Sequence, residues 1–189
     1  MRILSWNIQG LGAPRTFHSL KNILREKKPD LVFPAETKMT SNQMEKKRIQ
    51  LGREGAVKVA RVGLGEEIGN LKSLVELWLS NNNLRGLIPP NIGNLIKLNG
   101  LYMYNNKFSG LIPKEMWNLK SLVNLDLGKN QLNGSIPASI GDLRNLESFY
   151  LADNHLSGPI PQEMENLKML TNLQLRNNQF SGHLPQNIC

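Results

Sequence analysis

The chain contains one cysteine, Cys189, among its 189 residues, so no intrachain disulfide can form and the cysteine-stapled frameworks of small secreted domains are excluded. No apolar run approaches the roughly 20 residues that a membrane-spanning helix requires. No secretory apolar region follows Met1 either, because the short apolar pieces after Arg2 are broken by Ser5, Asn7 and Gln9. As written, the chain is expected to stay inside the cell, where a lone cysteine is unremarkable. Acidic residues are scarce only at the front: residues 1–63 hold 13 Lys/Arg against 5 Asp/Glu, and residues 64–189 hold 10 against 10, so the whole excess of +8 lies in the first third. Such a block suits a phosphate backbone no better than it suits an ordinary solvated face. Nucleic acid is therefore not the expected partner.

What the chain does have is a period. Leu74, Leu98, Leu122, Leu146 and Leu170 stand 24 residues apart, and each opens the same ladder. The first copy reads Leu74, Leu77, Leu79, Asn82, Leu84, Gly86, Ile88 and Pro89; the last reads Leu170, Leu173, Leu175, Asn178, Phe180, Gly182, Leu184 and Pro185. Repeats of roughly 20 to 29 residues on the skeleton L-x-x-L-x-L-x-x-N-x-L are the signature of leucine-rich repeats. The trailing L-x-G-x-I-P resembles the plant-specific subclass of receptor-like kinase ectodomains, over Leu64 to Cys189.

Each position in the ladder has a physical role. Alternation across Leu77, Trp78 and Leu79 sends two leucines into the core and leaves the residue between them on the open face of a short parallel strand. The asparagines Asn82, Asn106, Asn130, Asn154 and Asn178 follow the strand where the chain turns inward, and their amides are expected to satisfy backbone groups that the turn leaves unpaired. Gly86, Gly110, Gly134, Gly158 and Gly182 permit a turn that a side chain would obstruct, and the prolines after them fix φ. All of these specify fold.

Function is left to the outward strand positions, which stacked repeats present as one concave surface. The middle column reads Trp78, Tyr102, Asp126, Tyr150 and Gln174, and the next reads Ser80, Tyr104, Gly128, Ala152 and Arg176; on the other side lie Glu76, Gly100, Asn124, Ser148 and Asn172. Trp and Tyr are enriched among binding hot spots. The expected recognition face is therefore Trp78, Tyr102, Tyr104 and Tyr150 with Asp126, Gln174 and Arg176. Five strands about 4.8 Å apart span some 20 Å, enough for a handful of peptide residues. The resemblance implies a non-enzymatic module that binds a peptide or protein on this face, in a receptor at the plasma membrane or in a polygalacturonase-inhibitor-like protein.

The front of the chain belongs to something else. An apolar start (Ile3, Leu4, Trp6), a helical face of Phe17, Leu20 and Leu24, the run Leu31 to Phe33, a charged helix near Gln43 to Leu51, and Ala56 to Val62 together read β-α-β-α-β. The segments ILSWNIQGLG, KPDLVFPAETKM and MEKKRIQLGREG resemble the amino-terminal part of the endonuclease/exonuclease/phosphatase domain of plant LINE-type retrotransposons, from Met1 to about Val62. That resemblance maps two active-site residues onto Asn7 and Glu36, with Glu36 binding Mg²⁺ and Asn7 positioning phosphate and metal. The later strands that complete the family's acid and base set have no counterpart here, and His18, His155 and His183 match none of its motifs. Pro34 also falls within the second strand, where a missing N–H would damage a central ladder. No catalysis and no cofactor are expected, Mg²⁺ entering only if a nuclease reading holds.

The overall expectation is an α/β chain: a truncated nuclease-like fragment over 1–62, and over 63–189 a solenoid of one partial and five full repeats with parallel strands on its concave face. The seam is placed near Val62 to Gly65, because Leu64, Gly65, Ile68, Gly69, Asn70 and Leu71 already follow the repeat whereas Gln50, Arg53, Gly55, Lys58 and Ala60 do not. No Pro/Ser-rich linker separates the halves. Without a paired-cysteine cap, the solenoid is expected either to self-associate through its open ends or to take the front segment as a cover on the first repeat. A transposon–receptor fusion with no selected function, or an artefact of gene assembly, is the alternative to a binding module.

Overall fold

The computed structural model describes residues 2–7, 31–35 and 66–186. Two short strands come from the front segment, β1 (Arg2–Asn7) and β2 (Leu31–Ala35). Ten more come from the repeats: β3 (Glu76–Trp78), β4 (Arg85–Gly86), β5 (Gly100–Tyr102), β6 (Lys107–Leu111), β7 (Asn124–Asp126), β8 (Gln131–Gly134), β9 (Ser148–Tyr150), β10 (His155–Pro159), β11 (Asn172–Gln174) and β12 (Gln179–Ser181). Between them, 3-10 turns recur at Glu66–Asn70, Pro90–Asn94, Lys114–Asn118, Ala138–Asp142 and Gln162–Asn166. The odd-numbered repeat strands and the two front strands form one parallel sheet in the order β11-β9-β7-β5-β3-β1-β2, and the even-numbered strands form a second, in the order β12-β10-β8-β6-β4. This is the expected α/β solenoid with parallel strands.

The register of the first sheet is the sequence period itself. Leu77 pairs with Leu101, Leu101 with Leu125, Leu125 with Phe149 and Phe149 with Leu173. Each apolar position thus lies beside its own equivalent one repeat on, and the side chains of one column fill one continuous core. Leu74, Leu77, Leu79, Leu98, Leu101, Met103, Leu122, Leu127, Leu146, Phe149 and Leu151 are wholly buried. Burial of such a side chain contributes about 1.5–3 kcal/mol. In the last repeat Leu170, Leu173, Leu175 and Phe180 are only partly buried, since no further repeat stacks on them among the described residues.

The asparagine column does more than its position in the sequence suggests. Asn130 Nδ2 donates to Leu127 O and to Met103 O in the preceding repeat, each at 3.0 Å, and its Oδ1 accepts from the Phe108 amide at 3.0 Å. Asn106, Asn154 and Asn178 repeat the pattern, bonding Leu79, Leu127 and Leu151 carbonyls one repeat back. Each asparagine therefore pairs the backbone of its own turn and that of its neighbour. Two left-handed positions shape the turns around it. One is glycine, Gly86, Gly110, Gly134, Gly158 and Gly182 having φ between 75° and 89°. The other, unmarked by glycine, is the column Asn81, Asn105, Lys129, Asp153 and Asn177, with φ between 53° and 60°. Asn and Asp tolerate this region better than most residues; Lys129 is held there by the repeat around it.

Prolines Pro89, Pro113, Pro137 and Pro161 sit at the starts of the 3-10 turns with φ from −83° to −64°. Within those turns, Gly93 and Gly141 make room for the next repeat: a β-carbon there would stand 2.3 Å from Glu115 O and 2.5 Å from Glu163 O. Trp117 occupies the equivalent place in the second full repeat and is buried among the core side chains. The turns at Lys114–Asn118 and Ala138–Asp142 pack less closely against each other than their neighbours do.

At the other end, β1 pairs in parallel with β3, placing Arg2 opposite Glu76, Ile3 opposite Leu77 and Leu4 opposite Trp78, and β2 pairs with β1. Strand β1 thus pairs with the first repeat, the contact that one of the two expectations required. Among the described residues β2 is the last strand of its sheet, with Pro34 opposite Trp6, and a missing N–H on the side away from β1 interrupts no ladder there. The helical face of Phe17, Leu20 and Leu24, the charged helix and the strand expected over Ala56 to Val62 lie outside the described residues, as does Glu36.

Two outcomes follow. Asn130→Ala leaves the Phe108 amide without its buried acceptor and removes one of the two asparagine donors on each of Met103 O and Leu127 O, so it should destabilise the chain by about 1–3 kcal/mol in urea unfolding, whereas exposed Asn118→Ala should change stability by less than about 0.5 kcal/mol. Leu4→Pro removes a backbone donor from the strand between β3 and β2, so hydrogen exchange at the Glu76–Trp78 amides should accelerate while that at Asn124–Asp126 does not; unchanged protection of β3 would contradict the pairing.

Candidate ligand-binding face

Three columns of side chains leave the outer face of the first sheet. The middle one runs in register as Trp78, Tyr102, Asp126, Tyr150 and Gln174. The first four are half-buried and Gln174 is exposed. In the column beyond it, Tyr104 is 38% exposed and Arg176 is exposed, but Gly128 and Ala152, expected to be outward and free, are buried beneath their neighbours.

The tyrosines are seated rather than free. Trp78 and Tyr102 stack with ring centroids 4.2 Å apart and planes inclined at 31°, a geometry favoured by aromatic quadrupoles. Trp78 Nε1 donates to Glu76 Oε2 at 3.3 Å, which orients the indole. The Tyr102 ring lies down over Gly100: a β-carbon there would come within 2.8 Å of Tyr102 Cε2. Gly128 plays a similar part for Tyr104, since a β-carbon at Gly128 would stand 3.3 Å from Tyr104 Cδ2, from Asp126 Oδ1 and from Ala152 O. Gly128 is therefore packed closely beneath Tyr104, the Asp126 carboxylate and the Ala152 carbonyl.

Charge on this face is uneven. Burial raises the Asp126 carboxyl above its usual range, opposed by the Gly128 amide, which donates to Oδ1 at 3.0 Å. Burial also raises the Tyr102 phenol, and the nearby Glu76, Asp126 and Tyr150 push it further in the same direction. The expected patch placed Arg176 with Asp126, but the two stand two strands apart. The Arg176 guanidinium lies 3.8 Å from Asp153 Oδ2 instead. Among the described residues no basic side chain forms an ion pair with Asp126.

The structure thus brings Trp78, Tyr102, Tyr104, Asp126 and Tyr150 together and leaves Gln174 and Arg176 at the far end of the same face. Asn7 ends β1 on the same sheet, beyond β3. The residues that sequence reading did not count as part of the site are the two glycines that seat the rings, and Asp153. A signal for Gly100 was present, two positions before Tyr102 on one strand; Gly128 serves a tyrosine on the adjacent strand, which only the register reveals. The face thus carries stacked aromatic rings, hydrogen-bonding groups and a carboxylate bonded to the Gly128 amide. Among the described residues no group of three or more His, Cys, Asp or Glu side chains forms a metal site, and no helix is long and apolar enough to cross a membrane.

Comparison with known proteins agrees with this geometry. The leucine rich repeat family matches residues 72–132, and a second leucine rich repeat description matches 145–167 and 169–189. No curated protein matches the chain significantly. Among solved structures, the ectodomain of the plant membrane receptor kinase GASSHO1/SCHENGEN3 from Arabidopsis thaliana, in complex with CASPARIAN STRIP INTEGRITY FACTOR 2, is 43% identical with a TM-score of 0.64, over 65% of this chain and 15% of that one. The Arabidopsis receptor kinase HAESA, in complex with the peptide hormone IDA and the co-receptor SERK1, is 40% identical with a TM-score of 0.65, over 71% of this chain and 23% of that one. The ectodomain of the receptor kinase SOBIR1 from Arabidopsis thaliana is 36% identical with a TM-score of 0.61, over 64% of this chain and 66% of that one. This chain spans about a sixth to a quarter of the first two. The repeats of this chain, residues 72–189, belong to the leucine-rich-repeat family and resemble those of plant receptor-kinase ectodomains.

Proposed function

We propose that the concave sheet is a recognition surface for a peptide or protein ligand, and that the repeats act as part of a receptor-kinase-type ectodomain without enzymatic activity. The observation that carries this is the in-register strip of Trp78, Tyr102, Asp126 and Tyr150, with Tyr104 beside it. Large, rigid aromatic groups held in place before binding lose little entropy on contact. The similar HAESA ectodomain is seen with a peptide hormone, which supports a ligand of that class here. A site at the plasma membrane, with signalling through segments beyond these repeats, follows from the same similarity. The front segment serves in this reading as a cover for the first repeat. Its nuclease resemblance supplies Asn7 and Glu36 but not the acids and base a phosphodiester hydrolase needs.

Asp126 bears on the same proposal because it opposes folding. Its carboxyl titrates higher in the folded chain than the ordinary value of 3.8. The folded state therefore favours the protonated form: the penalty is absent below the unfolded value and complete once pH has risen through the raised one. A partly buried carboxylate kept at the expense of stability is a sign of a binding role.

Replacing both Tyr102 and Tyr150 by Ala should weaken binding of a synthetic random heptapeptide mixture by roughly 30-fold or more, as loss of hot-spot residues does, with the circular dichroism spectrum unchanged; unaltered binding would place the ligand elsewhere. Asp126→Asn should raise the melting temperature at pH 7 by roughly 1–2 °C, solvent screening keeping the gain small, and the difference should vanish near pH 3. A variant less stable than the parent at pH 7 would show that the carboxylate is a structural partner.

A further inference from the structure

Resting on the reading of the repeats as an ectodomain, a place that a chain reaches through the secretory pathway, we propose that Asn133 carries an N-linked glycan and that the sugar covers the exposed leucines beside it on the second sheet.

The chain holds one Asn-x-Ser/Thr triplet, Asn133-Gly134-Ser135, which is the acceptor pattern for N-glycosylation when the middle residue is not proline. The repeat does not call for these residues: the equivalent pairs are Arg85 and Leu87, Ser109 and Leu111, Ser157 and Pro159, and Ser181 and His183. Nor does the fold use them. Asn133 and Ser135 are exposed, and neither side chain forms a hydrogen bond among the described residues. Asn130, three positions earlier, is by contrast buried and bonded through both atoms of its amide.

A glycan is bulky and needs room on the folded surface. Strand β8 is the middle strand of the second sheet, with Asn133 opposite Leu111 on β6 and opposite His155 on β10, both of them exposed. A sugar at Asn133 is carried by the second sheet, so the aromatic strip on the first stays open. Beside it lies apolar surface in need of cover. Leu87 and Leu111 are 68% and 65% exposed, and they form a row: a β-carbon on Gly110 would collide with Leu87 Cδ2, and one on Gly134 with Leu111 Cδ2. The Leu111 methyl thus lies against the middle residue of the triplet, where the first sugar ring would rest on it. Adjacent leucines left in water favour association, and a solubilising glycan opposes it.

The donor is a lipid-linked oligosaccharide diphosphate. Asn133 Nδ2 bonds to the anomeric carbon of the first sugar, and the bond from that carbon to the diphosphate oxygen breaks. The lipid diphosphate leaves with the electron pair, and one amide proton passes to a base of the transferase.

The test places the full chain behind a cleavable secretory leader and translates it with endoplasmic-reticulum microsomes, protease protection marking the chains that have been translocated. Protected chains should migrate more slowly by one core glycan. The shift should be lost on peptide N-glycosidase treatment, in Asn133→Gln and in Ser135→Ala, and kept in Ser135→Thr. Enzymatic release in heavy-oxygen water should label Asn133, which separates the glycan from spontaneous deamidation of the Asn133-Gly134 pair. Protected chains that stay unshifted, or a shift that survives Asn133→Gln, would overturn the acceptor assignment and leave the ectodomain reading standing. A shift in microsomes with a bare Asn133 in the chain isolated from its own cells would instead sink the ectodomain reading, and the cellular glycan with it. For the covering role, the glycosylated parent should bind less of an apolar dye than Asn133→Gln does, and the difference should disappear when Leu87→Ser and Leu111→Ser are added to both. Equal dye binding by parent and Asn133→Gln would overturn that role.

Discussion

The amide of one asparagine per repeat is the interaction on which the rest of this solenoid depends. A short strand can end and fold under the sheet only if the carbonyls at its end find donors, because a buried carbonyl without one costs about 1–3 kcal/mol. Asn106, Asn130, Asn154 and Asn178 each supply donors to the end of their own strand and to that of the strand before, and accept an amide from the preceding second-sheet segment. A repeat is therefore completed by its successor. That reciprocity holds the 24-residue period in register, and it makes stability a matter of neighbours rather than of one central core.

Once the register is set, the division between scaffold and surface is strict. Leucines, phenylalanines and methionines of the inward columns fill the interior; asparagines, glycines and prolines turn the chain. Only outward strand positions escape, and even there the scaffold intrudes, since Gly100 and Gly128 are needed for the tyrosine rings to lie flat. The outcome is a face whose aromatics are ordered before any ligand arrives. In its middle stands the half-buried Asp126 carboxylate, which accepts from the Gly128 amide and forms no ion pair among the described residues.

Much of this could be read from the chain without coordinates, and what could not has physical causes. The inward columns, the asparagines and the glycine–proline closures repeat at a spacing that no other architecture explains. The left-handed column of Asn81, Asn105, Lys129, Asp153 and Asn177 escaped notice because Lys129 disguises a position otherwise taken by Asn or Asp. Trp117 was invisible for a similar reason: it occupies a place where Gly93 and Gly141 show that the repeats leave little room, and only packing decides that an indole can be buried there. Pro34 would damage a central ladder, and among the described residues it stands on the last strand of the sheet, a distinction that depends on which strands lie beside it.

The sequence by itself determined the period, the alternation of inward and outward side chains and therefore the middle column of the first sheet over the repeats, because these follow from strand geometry and from identical repeats stacking in register. Only the tertiary structure decided how those residues meet: that Trp78 stacks on Tyr102, that Arg176 answers Asp153 and not Asp126, that Gly128 lies packed beneath Tyr104, and that the front strand pairs with the first repeat. The Trp78–Tyr102 stack and the Arg176–Asp153 pair join residues 24 and 23 positions apart along the chain, and no local pattern carries that information.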